Sequence, residues 1–205
     1  TLFRSDIYRN VFAILKADDE FERFVFITGI TKFTQISLFS VLNTLSNISF
    51  YNCYATICGL TKEEILENLK DEIQALAVQK KWDIDQTMHE LKDMYDGYHF
   101  SESLQGVYNP FSVISALKER RLRPYWIASG ATEMLPKILT NFEKDVETLD
   151  GSLIDMDYLE TADISKDNPK LVLYQLGFLT IKDVIGEAYR LGFPNREVNG
   201  FPPLR

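Results

Sequence analysis

Cysteine and histidine are scarce in this chain of 205 residues, with two of each. Cys53 and Cys58 make no disulfide framework and suit a reducing compartment. Together with His89 and His99 they are the whole supply of soft metal ligands. The spacings, four residues between the cysteines and nine between the histidines, miss those of structural zinc sites, so no metal is expected. Long apolar runs are also missing. None approaches the roughly 20 residues that span a bilayer, which excludes a transmembrane helix and leads to a cytoplasmic reading with no membrane partner. Positive charge is in deficit, with 22 Lys and Arg against 30 Asp and Glu, a net charge of -8. Broad nucleic-acid binding needs a basic face, so nucleic acid is an unlikely partner. The densest basic stretch, Lys118 to Arg123, falls at a predicted helix end, where cations complement the helix dipole. There is no G-x-S-x-G elbow and no G-x-x-x-x-G-K-[ST] loop, which removes the standard serine nucleophile and a self-sufficient phosphate cradle.

What is present is an ordinary globular composition, 45% hydrophobic and 25% charged, organised around FVFITGITKF at Phe24 to Phe33. Phe24, Val25, Phe26 and Ile27 read as a strand covered on both faces, as in a parallel α/β sheet. Ligands bind at the carboxyl ends of such strands. That end carries Thr28, Gly29, Thr31 and Lys32, a set suited to an anionic group such as phosphate, or else an ordinary polar loop. An amphipathic helix through Ile7, Val11, Ile14 and Leu15 precedes it. Helix then strand is half of a βαβ unit, so partner strands must come from elsewhere. Both termini read as cut, and the chain is expected to be a piece of something larger.

Downstream, a short helix is expected over Ser37 to Leu45 and an extended piece over Ser49 to Tyr54. Thr61 to Glu64 is a capping box before Ile65, Leu66, Leu69, Ile73 and Leu76. Asp83 and Asp85 open a helix with Met88, Leu91 and Met94 inward. Asn109-Pro110 starts another, with Phe111, Ile114 and Leu117 as its buried face, and Asn168-Pro169 repeats the device. From Phe178 the pattern alternates, with Leu179 and Ile181 set against Thr180 and Lys182. A turn near Gly186 completes a predicted β-hairpin. Two aromatic clusters, YDGYHF at Tyr95 to Phe100 and GVYNPF at Gly106 to Phe111, read either as an aromatic mini-core or as a wall for a planar ring with His99 in reach of a polar group.

FVFITGITKF, SLFSVLNTLSNIS, YATICGLTKEEI, YDGYHFS, VYNPFSV, YWIASGATEML, LVLYQLGFLTIKD and LGFPNREV, in this order, resemble the bacterial AAA-ATPase-like family. Many members carry a PD-(D/E)XK nuclease-like domain downstream. The resemblance implies a mixed α/β, mainly helical fold. Residues 1–55 would be the remnant of a P-loop ATPase core with a sensor-like strand, 56–150 a helical lid, and 151–205 a winged-helix-like subdomain with the hairpin. It places Thr28, Thr31 and Lys32 near the γ-phosphate, with Gly29 among the cofactor-binding residues, and Gly97, His99, Asn109 and Pro110 near the adenine. ATP with Mg is then the cofactor of a full-length protein with Walker A and Walker B motifs upstream. This chain, lacking both motifs, is expected to bind no cofactor alone and to be inactive as an ATPase. Its implied partners are the missing P-loop half and a downstream nuclease-like domain in members that carry one. The rival reading is a non-enzymatic helical or winged-helix interaction module that binds protein or nucleic acid.

Overall fold

The computed structural model describes residues 13–14, 17–18, 20–29, 46–131, 149–161 and 168–200. Within them the chain is mixed α/β, mainly helical, with one small antiparallel sheet. The first helical unit comprises α1 (Lys62–Asn68), α2 (Lys70–Lys80), α3 (Ile84–Tyr95) and α4 (Pro110–Glu119). Thr61 and Glu64 form the expected reciprocal cap, with Thr61 N donating to Glu64 Oε2 and Glu64 N to Thr61 Oγ1. The expected single helix breaks at Leu69, whose φ of -123° and ψ of 28° leave the helical region. Just before the break, the Asn68 carboxamide donates to Glu64 O (2.9 Å), so a side chain binds a carbonyl at the end of the helix. Asp83 caps α3 through Gln86 N (2.7 Å), and Asn109 caps α4 through Ser112 N, with Pro110 in the first turn as expected.

These helices close on Ile65, Ile73, Leu76, Leu91 and Tyr95, all essentially inaccessible, with Met88 and Met94 inward as expected. The buried face of α4 differs from the expected one. Val113, Ala116 and Leu117 are buried, whereas Phe111 and Ile114 are 52% and 51% exposed. The periodicity of α4 fits either stripe, and the capping geometry of Asn109, whose N donates to Tyr95 O, turns Val113 to the core. The basic run after it ends the helix as expected: Arg120 is the left-handed C-cap, and Arg123 pairs with Glu119 and lies over the Tyr125 ring.

The second unit contains β1 (Leu153–Asp155), α5 (Met156–Thr161), α6 (Pro169–Gln175), β2 (Thr180–Ile185), β3 (Ala188–Gly192) and α7 (Arg196–Asn199). The hairpin is β2 and β3, and β1 extends the sheet in the order β1-β3-β2. Its core includes Leu159, Leu171, Phe178, Ile181, Tyr189 and Leu191. The expected alternation fails at the start of β2, where Leu179, Thr180 and Ile181 are all buried. One face of β2 lies on its own core, and the other is covered by the YDGYHF turn.

Two further expectations are corrected. Residues 24–29 adopt no regular secondary structure, and Phe24, Phe26 and Ile27 are exposed rather than buried in a strand. Among the described residues no strand lies beside them, and a strand without a ladder partner has nothing to hold it. The stretch Ser49 to Tyr54 is a turn followed by a 3-10 helix, Asn52–Tyr54, rather than an extended piece. The helix expected over Ser37 to Leu45 lies outside the described residues, as do the residues from Ile7 to Val11.

The α4 orientation yields a direct comparison. Val113→Ala, at a position buried in this stripe alone, should cost about 1–3 kcal/mol through a buried cavity. Ile114→Ala should stay within about 0.5 kcal/mol. Urea unfolding of the two variants checks it, and the reverse ranking would mean that the other stripe faces the core.

Candidate functional site

The two aromatic clusters are the two arms of one turn. Tyr98 and Val107 form an isolated antiparallel bridge, Val107 N donating to Tyr98 O at 3.0 Å. Tyr95, Tyr98 and Tyr108 are buried, so the arms make an aromatic mini-core. The Tyr95 hydroxyl donates to Arg123 O (2.9 Å) and accepts from Arg123 N (3.0 Å), and burial raises its pKa.

This turn is where the two units meet. His99 N donates to Thr180 Oγ1 (2.7 Å), Thr180 Oγ1 donates back to His99 O (3.1 Å), and His99 Nδ1 donates to Ile181 O (2.7 Å). Gly97 holds φ at +94°, and any Cβ there would overlap Pro194 O. Glycine is required by both the conformation and the approach. Pro194 O accepts from Lys182 Nζ (2.9 Å), and Asn195 Nδ2 donates to Asp96 O (2.9 Å). Burial lowers the Lys182 pKa, while Asp150 and Asp96 pull it back up. Burial likewise lowers the His99 pKa, the hydrogen bond to Ile181 O and the charge on Asp96 oppose that, and Lys182 adds to it.

Glu197 is the deepest charged group of the junction, 1% exposed. Its carboxylate accepts from Ser112 Oγ (2.8 and 3.0 Å) and from Trp126 N (2.8 Å), tying α7 to α4 and to the residues that lead into the π-helical stretch Ile127–Ala131. Burial raises its pKa, and those hydrogen bonds only partly offset the effect. Arg196 reaches the surface of α3, pairing with Glu90 and Asp93 at 3.2 Å each.

Beside the junction a cleft of about 640 Å³ opens between α3 and residues 193–199. His89, Lys92, Asp93 and Asp96 line one wall, and Gly97, Asp150, Pro194 and Arg196 complete it. Both signs of charge face it. Among the described residues no three metal-ligating side chains come together.

The expected site residues fall into two sets. Gly97, His99, Asn109 and Pro110 share the junction turn, yet only Gly97 lines the cleft; the His99 ring faces β2 and the Asn109 side chain caps α4. Thr28 and Gly29 are exposed, and Thr31 and Lys32 lie outside the described residues. Sequence reasoning missed Asp96, Thr180, Asn195 and Glu197. The LGFPNREV block contained a signal, since Asn195 precedes a short helix that it caps through Val198 N (3.2 Å). Nothing in the sequence marked Glu197 as buried.

Comparison with known proteins gives one informative match. The chain is 32% identical over 197 residues to an uncharacterized protein in the vnfD 5' region of Azotobacter chroococcum mcd 1. The alignment takes in 94% of this chain and 36% of that protein, so the chain spans about a third of the relative's length. No family model and no solved structure matches.

Glu197 generates a pH test. Its folded-state pKa lies above the ordinary 4.5, so its contribution is fully present below pH 4.5 and is lost as pH rises through the raised value. The stability of Glu197→Gln relative to wild type should therefore climb with pH above about 4.5 and then level off. Glu197→Ala should follow the same pH dependence but lie about 1–3 kcal/mol below Glu197→Gln, because Trp126 N and the Ser112 hydroxyl lose their acceptor. Urea midpoints measured across this pH range check both, and a pH-independent Gln-minus-wild-type difference would contradict the buried, ionised carboxylate.

Proposed function

We propose that this chain is the sensor-and-lid portion of a cytoplasmic, P-loop ATPase-like regulatory protein. The observation that carries the reading is the stretch Phe24 to Gly29, an apolar run left exposed and, among the described residues, without a ladder partner, ending in Thr28 and Gly29. Such a run gains a place by entering a parallel sheet built by an adjoining P-loop half. Thr28, Gly29, Thr31 and Lys32 would then stand at the carboxyl end of that sheet, facing the phosphates of an ATP–Mg complex held mainly by the other half. The match to part of a much longer relative supports a larger architecture.

The junction turn supplies the lid's mechanics on this reading. Gly97, His99, Asn109 and Pro110 gather where the helical unit is fastened to the winged-helix-like sheet unit. A nucleotide that engages this turn would shift the two units as a hinge. The nucleotide itself is bound only when both halves are present, and a downstream nuclease-like domain is the natural recipient of the motion. A rival reading, a protein-binding module, is favoured by the exposure of Phe111 and Ile114 on α4.

Calorimetric titration with ATP and ADP, with and without Mg, separates them. The 205-residue chain alone should show no saturable heat. The longer protein carrying the P-loop half should bind, and Lys32→Ala should weaken it by about tenfold or more, the loss expected for one hydrogen bond to a charged group. Nucleotide affinity unchanged by Lys32→Ala would overturn the sensor assignment. A longer protein that binds no nucleotide would leave the interaction module standing.

A further inference from the structure

His99 and Asp96 present a local imbalance of protons. Ile181 O is a carbonyl and can only accept, so the His99 Nδ1 at 2.7 Å carries the hydrogen, and in the neutral ring Nε2 is a bare acceptor. Asp96 Oδ1 is buried and has no hydrogen-bond partner. The two atoms flank the same small residue: a Cβ placed on Gly106 would lie 3.3 Å from Asp96 Oδ1 and 3.3 Å from His99 Nε2. Two acceptors thus stand around Gly106, the Asp96 oxygen buried without a partner among the described residues. A buried acceptor without a donor is costly, and among the described residues this carboxylate oxygen is one of few so placed.

We infer that Asp96 and His99 form a proton-binding pair at the junction of the two units. One proton taken from solvent onto Nε2 gives the ring a second donor and makes it a cation near the carboxylate. The charged groups that face the ring are Asp96 from the end of α3 and Lys182 from β2. Asp150 stands beyond Lys182, and the Tyr108 phenol is within reach of the Asp96 charge. Asp96 favours the added charge, whereas Lys182 and burial oppose it. The opposition is the larger, so the ring titrates below its ordinary 6.5. A depressed value means that the stabilising contribution of neutral His99 is present above pH 6.5 and is lost as pH falls through the folded-state value. The same ring and main chain bind Thr180 and Ile181, so proton uptake acts on the contact that fastens the helical unit to the sheet. The pair is an acid-sensitive fastener, independent of any nucleotide.

The chain has only two histidines, which makes the test direct by NMR of the histidine-labelled 205-residue chain. Long-range nitrogen–proton correlations should show His99 as the Nδ1–H tautomer at neutral pH. Asp96→Asn should lower the His99 titration midpoint by about one pH unit, because it removes the nearby anion that favours the charged ring among the described residues. An Nε2–H tautomer in the unmodified chain would overturn the inference, as would a midpoint that Asp96→Asn leaves unmoved. The tautomer measurement decides the matter even if the variant fails to fold.

Discussion

The approach of Gly97 to Pro194 O is the constraint on which the rest of the arrangement depends. It brings the YDGYHF turn against residues 193–199, and from there every other polar contact of the junction is within reach. His99 can then satisfy Thr180 and Ile181, Asn195 can reach Asp96 O, and Lys182 can bind Pro194 O. A side chain at position 97 would push these pairs apart together. Two hydrophobic cores, one around Leu91 and Tyr95 and the other around Phe178 and Tyr189, are thereby joined through hydrogen bonds, beside apolar contacts such as Phe50 and Leu104 against the second core.

A polar junction of this kind has a distinct energetic character. Hydrogen bonds contribute little net stability when made, about 0.5–1.5 kcal/mol each, but leaving one partner buried and unpaired costs more. Geometry is therefore tightly specified while net stabilisation stays modest. Glu197 illustrates it: a buried carboxylate, held by one hydroxyl and backbone N–H groups, fixes α4, α7 and the start of the π-helical stretch relative to one another. Such a contact is selective about alignment and sensitive to protonation. That combination suits an element meant to shift between two arrangements, and it fits the hinge role proposed for the turn.

Local signals carried much of the helical half. Thr61 with Glu64, Asp83, and Asn109 with Pro110 each fixed a helix start through a side-chain acceptor and a backbone N–H, interactions contained within four residues of sequence. The β2–β3 hairpin was legible for the same reason, through its turn at Gly186. What the sequence hid was long-range. Which stripe of α4 is buried depends on Tyr95 O receiving Asn109 N, and the burial of Thr180 depends on His99, 81 residues away. Phe24 to Ile27 read as a buried strand because its composition suits one, but burial needs neighbours that the described residues do not supply. Within the candidate site, glycine, histidine and asparagine drew attention by their rarity and their turn chemistry. Glu197, Asp96 and Asn195 did not, since charged and polar residues near helix ends ordinarily face water.

The central claim is that the Gly97 junction is the principal coupling between the two cores. The chain carries one tryptophan in each unit, Trp82 at the turn between α2 and α3 and Trp126 against Phe178 at 5.1 Å. Urea unfolding followed by fluorescence in Trp82→Phe and Trp126→Phe backgrounds reports the units separately. With Gly97 in place the two transitions should coincide, and adding Gly97→Ala should split them, with the units unfolding at different urea concentrations. Transitions that stay superimposed after Gly97→Ala would contradict the account, for they would place the coupling between the cores elsewhere.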